Sequence, residues 1–218
     1  MRNTAFVSPE HGEAELVAGA KRGDETAIRT IVRLHNQTLF RLARSIVSDQ
    51  DAEDAVQEAY LRAFRDIGGF RGESSLKTWL GRIVVNAALE RLRRERPDHV
   101  IPFPPPTPLA DPERTMAHDQ LRHMLEQAID ELPPAFRGVV VARLLEEMSV
   151  EETAQILGLK PETVKTRLFR ARVLLRAAVV KRLGAALGEA FPFGDLRCQR
   201  MADRVVAKLR EPFSPPCI

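Results

Sequence analysis

Seven prolines fall within the sixteen residues 97–112, PDHVIPFPPPTPLADP, and no other feature limits the fold so severely. Proline fixes φ and donates no backbone hydrogen bond, so neither a helix interior nor a sheet can run through such a stretch. It reads as an extended linker of polyproline II character that divides the chain in two. On both sides apolar residues recur at helical intervals. Ile28, Ile31, Val32, His35, Leu39, Leu42, Ala43 and Ile46 form one stripe, and Ala52, Ala55, Val56, Ala59, Ala63, Phe64 and Ile67 a second, ended by Gly68-Gly69. Leu76, Leu80, Ile83, Val84 and Ala87 mark a third helix, with Ser74 or Ser75 as its N-cap. Beyond the linker, Leu121, Met124, Leu125, Ala128, Ile129 and Leu132 share a face until Pro133-Pro134, and Phe136, Val139, Val140 and Leu144 carry the next helix. No alternating strand pattern occurs. The expectation is an all-α chain of two small helical domains.

Bulk composition mainly excludes. The 44% hydrophobic content suffices for packed cores, and the net charge of +3 is too small to identify a partner. Cys198 and Cys217 form no CxxC pair, and the five histidines (His11, His35, His99, His118, His123) show no ligand spacing, so no metal is expected. Cys198 reads as a free buried thiol and Cys217 as part of a frayed end. Such sparse cysteine suits a reducing cytosol. Residues Met1 to Ala20 hold no apolar core of signal-peptide length, and no run of about 18 apolar residues exists, so a cytoplasmic protein without membrane insertion is expected. No Walker loop, G-x-S-x-G elbow or H-E-x-x-H occurs, so no enzyme and no cofactor is expected.

The segment SVEETAQILGLKPETVKTRLFRAR, residues 149–172, is the most informative. Ser149 and Glu152 make a capping box, Ala154 lets a partner helix approach, Gly158 suits a left-handed helix end, and Pro161 suits the first position of the next helix. Val164, Leu168, Ala171, Leu175 and Ala178 give that second helix a buried side. This order is a helix-turn-helix. The opposite side carries Lys160, Lys165, Arg167, Arg170, Arg172 and Arg176 against one acid, Glu162. Glu162, Thr163, Thr166 and either Lys165 or Arg167 are placed for base edges, Arg170 and Arg172 for phosphates. A solvated basic helix in an ordinary bundle is the competing explanation, and it leaves the mutually consistent cap, glycine and proline unexplained.

Two segments of the first half stand out differently. Ser45 to Leu61 contains no Lys or Arg but has Asp49, Asp51, Glu53, Asp54 and Glu58. Asp54, Gln57, Glu58 and Leu61 lie on one stripe away from the apolar face, which suits a protein partner better than phosphate. A merely solvated helix face would look the same. The following FRGESSLKTWLGRIVVNAALERLRRER sets Phe70, Lys77 and Trp79, the only tryptophan, beside Arg71 and Arg82. Aromatic rings stack on unpaired bases while cations hold the backbone. Phe70 and Trp79 would equally serve as core, and for Trp79 its apolar neighbours favour that. Arg91, Arg93, Arg94 and Arg96 form a basic helix end suited to duplex phosphate.

DAEDAVQEAYLRAF with FRGESSLKTWLGRIVVNAALERLRR resembles the second conserved region of extracytoplasmic-function (ECF) sigma factors, and LPPAFRGVVVARLLEEMSVEETAQILGLKPETVKTRLFRAR resembles their fourth. The resemblance implies a sigma factor that binds core RNA polymerase, directs it to promoters and promotes DNA opening. Asp51, Asp54, Gln57, Glu58 and Leu61 would dock on the coiled coil of the largest polymerase subunit. Phe70, Ser74, Lys77 and Trp79 would open the −10 element, with Arg82, Asn86, Arg93 and Arg94 on the promoter-facing helix. Glu162 to Arg172 would read the −35 element. An anti-sigma factor is a further partner that the resemblance allows. The implied domains are residues 13–96 and 115–182, joined by the linker 97–114 and followed by an extension, 183–218, whose role does not follow from its residues. Lys160 stands where the family often has a Ser or Thr cap. A stand-alone helix-turn-helix regulator is the alternative, and it leaves the acidic stripe and the aromatic-basic segment unused.

Overall fold

A computed structural model describes residues 9–95, 116–188 and 195–210, and every element among them is helical except for turns. The proline-rich linker, residues 97–114, and Cys217 lie outside the described residues.

The first half forms four helices: α1 (Pro9–Lys21), α2 (Glu25–Arg44), α3 (Asp49–Arg65) and, after a 3-10 turn at Ile67–Gly69, α4 (Leu76–Glu95). Each start has a chemical cause. The Asp24 carboxylate accepts from the Thr26 N–H, the Ser48 hydroxyl from the Asp51 N–H, and the Ser75 hydroxyl from the Thr78 N–H, so Ser75 rather than Ser74 caps α4. Glu13 of α1 accepts from the Leu76 N–H, giving α4 a second cap from a distant segment. Ile31, Leu39 and Leu42 of α2, Ala52, Ala55, Ala59 and Ala63 of α3, and Leu80 and Val84 of α4 are almost wholly buried together. The alanines on α3 let its neighbours approach closely at those positions, while Val56 and Tyr60 fill the space between them. Tyr60 closes one end, its hydroxyl donating to the Val32 carbonyl while burial pushes its pKa up to about 12.

The second half begins with α5 (Met116–Asp130) and α6 (Pro134–Val140), which continues as a π turn, Val141–Leu145. Pro133-Pro134 ends one helix and starts the next, because a proline at the first helical position sacrifices no bonded N–H. Next come α7 (Val150–Leu157) and the long α8 (Pro161–Gly188). The helix-turn-helix forms as its sequence requires: the Ser149–Glu152 capping box is complete, and Gly158 adopts φ 63°. Val139, Ala154, Val164 and Leu168 form its core, while Leu132, Val140 and Ala171 form a smaller one.

One result runs against two halves that merely share a linker. Val141, Ala142, Met148 and Ile156 belong to the same buried core as Leu42 and Leu80, and the described helices up to Val179 form one compact unit. Gly81 allows a close approach here, since a Cβ there would lie 3.0 Å from Ile156 Cδ1 and press on that side chain. The last helix, α9 (Asp195–Arg210), belongs to a separate unit, Val180–Ile218, and exposes Met201, Val205 and Val206. The side chain of Cys198, which α9 carries, lies outside the described residues.

Candidate polymerase and promoter interfaces

The acidic stripe lies on the outer side of α3, opposite its alanine face. Leu61 is 61% exposed, and Gln57 beside it is open to solvent. The carboxylates are less free than the sequence implies. Arg91 of α4 donates to both Asp51, at 2.9 Å, and Asp54, at 2.6 Å, so in the folded chain it is paired with the stripe. Arg62 joins Glu58 to Glu90, at 2.8 Å from the latter. The hydrogen bond with Arg62 holds Glu90 below the usual carboxylate range. These pairs are partly exposed, so they add little stability and leave the stripe available to a partner that offers cations.

Next to the Arg62–Glu90 pair, the end of α3, the turn after it and α4 line an open hollow of about 410 Å³ formed by Arg62, Asp66, Gly69, Trp79, Ile83, Asn86 and Glu90. Trp79, Ile83, Asn86 and Glu90 follow one another at helical spacing, so the wall combines an indole edge, an apolar side chain, an amide and a carboxylate. That mixture suits a flat heteroaromatic group with donors and acceptors at its rim. Phe70 is not at the surface. It is 9% exposed, packs in the core and meets Trp79 at a ring separation of 5.3 Å. Of the two aromatics expected to stack on bases, Phe70 instead supports the half-buried Trp79. Ser74 and Lys77 are half-buried, and Lys77 donates to the Glu146 carbonyl at 3.3 Å. Arg82, Asn86, Arg93 and Arg94 are exposed along α4.

In the helix-turn-helix, α8 presents Lys165, Thr166, Arg170 and Arg172 to solvent while Val164, Leu168 and Ala171 point inward. Lys165 and Glu162, both candidates for base edges, pair with each other at 2.9 Å. Both ends of this pair are exposed, so it is weak enough to yield to a groove. Thr166 bonds back to the Glu162 carbonyl, Thr163 is half-buried, and Arg167 reaches the Ala135 carbonyl at 3.4 Å. Helix α8 starts without a side-chain hydrogen bond from Lys160. The Lys160 carbonyl accepts from Thr163 and Val164.

Two family descriptions match these halves: Sigma-70 region 2 over residues 31–97 and Sigma-70 region 4 over residues 122–175. The ECF RNA polymerase sigma factor SigM of Mycobacterium tuberculosis is 40% identical over 167 residues, 76% of this chain and 84% of that protein. The chain belongs to the ECF RNA polymerase sigma factors. The ECF sigma-E factor of Escherichia coli is 32% identical over 76% of this sigma factor and 93% of its own length. Among solved structures, CnrH in complex with the cytosolic domain of CnrY covers 78% of the sigma factor at 26% identity with a TM-score of 0.58. RpoE from Bartonella quintana, solved with the anti-sigma factor NepR, shares the fold at 24% identity and a TM-score of 0.57. As a member of this family the protein directs RNA polymerase to promoters. A stand-alone helix-turn-helix regulator would have no counterpart to the matched region 2.

The fold brings Trp79 and Asn86 together but leaves Ser74 and Phe70 away from their cavity, where a second hollow of about 620 Å³ opens between α1 and the loop before α4. Sequence reasoning missed Arg62, Asp66 and Glu90 in the wall of the first cavity. Only Glu90 had a legible signal, its helical spacing from Asn86. Among the described residues no helix is long and apolar enough to cross a membrane.

Proposed function

We propose that the labour of this sigma factor is divided between residues 13–96 and residues 115–182, joined by the linker 97–114. The first part docks on polymerase through the α3 stripe (Asp51, Asp54, Gln57, Glu58, Leu61), and the exposed leucine supplies the apolar centre of that interface. Trp79 and Asn86 receive an unpaired base of the −10 element in their shared cavity, with Lys77, Arg82, Arg93 and Arg94 on the sugar-phosphate backbone. Capture of the base offsets an unstacking cost of a few kcal/mol. Phe70 acts by backing Trp79, and Ser74 by shaping the loop. The second part lays α8 in the major groove at the −35 element, with Lys165, Thr166 and Arg167 near base edges and Arg170 and Arg172 on phosphates.

The observation that carries this reading is the separation of charge: carboxylates and a bare leucine on α3, an exposed cationic side on α8. The chain itself catalyses nothing and works in the cytoplasm. An anti-sigma factor is a third partner, of the kind with which the similarly folded RpoE of Bartonella quintana was solved. Footprinting of the reconstituted holoenzyme tests the division. Arg167→Ala and Lys165→Ala should each weaken −35 protection by about 1–3 kcal/mol for every base edge that goes unread, while Asn86→Ala should leave −35 protection intact and reduce −10 opening. Equal loss at both elements from either set would refute the assignment.

A further inference from the structure

We infer that α9 is a membrane-surface helix: it lies along an anionic lipid surface, its apolar row sunk among the headgroups and its cations on their phosphates. The helix is outside both family matches, which end at residue 175, so it is additional to the two regions that define the family. The inference does not rest on the polymerase and promoter assignments made above.

Four times along the sixteen residues of α9 a cation is followed at once by an apolar residue or cysteine: Arg197-Cys198, Arg200-Met201, Arg204-Val205 and Lys208-Leu209. Steps of three and four residues return to one face of a helix, so the pattern winds into two neighbouring rows, one cationic and one apolar. Ala202 and Val206 widen the apolar row. Among the described side chains, Met201, Val205 and Val206 are between 46% and 49% exposed, and Arg200 and Arg204 are exposed beside them. Arg204 donates to the Arg200 carbonyl at 3.2 Å, which lays its guanidinium back along the helix toward Arg200. Charge is as uneven as exposure. Five cations and two carboxylates give α9 a surplus of three, the same as that of the whole 218-residue chain. The rest of the chain is therefore balanced, and its net positive charge resides in this one helix.

Three kinds of surface carry the charge to attract those cations, and the apolar row separates them. Duplex DNA presents phosphates but no apolar layer, so binding it would leave Met201, Val205 and Val206 in water. A groove on an acidic protein takes up bulky anchors at i, i+4 and i+7, with aromatic side chains foremost. The described apolar side chains of α9 are methionine, valine and alanine, and none is aromatic. An anionic bilayer offers both layers in the required order, phosphates outside and hydrocarbon beneath, over a flat area that needs no matching shape. Arg200 and Arg204 have long apolar stems, so their guanidinium groups stay at the phosphates while the neighbouring row sinks. The helix does not cross, because seven charged residues among sixteen fit no hydrocarbon core. Its apolar side chains are few and small, so adsorption is reversible and depends on lipid charge.

Flotation of the purified full-length chain with lipid vesicles tests the inference. Vesicles of phosphatidylglycerol and phosphatidylcholine in equal parts should carry the chain upward, and vesicles of phosphatidylcholine alone should not. Added salt should release it. Helix α8 is cationic too, so variants assign the effect to α9. Arg200→Glu with Arg204→Glu should lower the partition constant by about tenfold or more. Met201→Ser with Val205→Ser changes no charge and should lower it by about fivefold or more. All four side chains are exposed, so the thermal unfolding of both variants should match that of the parent chain. Lipid-free transcription with core polymerase should also be unchanged, and its loss would assign α9 to polymerase or promoter instead. Equal flotation with both kinds of vesicle would overturn the inference. Flotation with neither would do the same and leave a groove on an acidic protein as the occupant. A serine variant that floats like the parent would reduce the effect to charge alone and would also overturn it. So would a glutamate variant that floats unchanged but loses duplex DNA in a gel shift, since α9 would then be an arm of the DNA-binding surface.

Discussion

Ile156 is one of the side chains through which the two halves share a core, and its truncation to alanine measures its part in that sharing. It is 1% exposed and meets α4 at Gly81. Ile156→Ala removes about three carbon groups, each worth about 0.8 kcal/mol on burial, and leaves a cavity that the surrounding helices fill only in part. The total is about 3 kcal/mol. Urea unfolding reads it twice in one sample. Trp79, the only tryptophan, reports on the first half by fluorescence, whereas far-ultraviolet circular dichroism reports on all helices. With a slope of about 2 kcal/mol per molar, the midpoint should fall by about 1.5 M. The fluorescence transition should move with it, because the truncated residue lies against α4, although it is 77 positions from Trp79 in the chain. A shift below about 1 kcal/mol by both probes, or a tryptophan transition that does not move at all, would mean that α7 is not packed on α4 and would refute the shared core.

Further outcomes follow from individual side chains. Asp54→Arg with Glu58→Arg should abolish co-purification with core polymerase while costing only about 1 kcal/mol of stability, because the pairs to Arg91 and Arg62 are partly exposed; retained co-purification would exclude α3 as the docking helix. Burial lowers the pKa of His35 below its ordinary value, so its contribution to stability is present above about pH 6.5 and is lost as pH falls below that; denaturant titrations from about pH 7 to 5 should show the decline, and His35→Gln should flatten it. Ser149→Ala removes the cap of α7 and should cost about 1 kcal/mol, with circular dichroism and urea as the measure.

Much of this molecule is set by short-range chemistry and is legible as such. The apolar repeats of α2, α3 and α4, the break at Pro133-Pro134, and the capping box, glycine and proline around α7 and α8 act over a few residues, and their outcome does not depend on distant parts of the chain. The cationic side of α8 is legible for the same reason: the face opposite a helix's buried stripe is exposed wherever that helix packs. Helix α1 carries a weak apolar pattern, and only its packing beside α2 and the cap that Glu13 provides for α4 make its place clear.

The tertiary structure decided what several named residues are free to do. Phe70 and Trp79 pack against the same core, yet Phe70 is almost wholly buried while Trp79 is left half-buried at the rim of a hollow. Arg91 reads as part of a basic helix end, and only the packing of α4 on α3 pairs it with Asp51 and Asp54. Lys77, Glu146 and Asp130 show no pattern linking them, because their partners stand 69 to 108 residues away. Helical periodicity specifies which side of a helix turns inward but not which helix it meets. That choice rests on shape, here the bare backbone at Gly81 that admits Ile156, and on charge partners brought together only once the chain has folded.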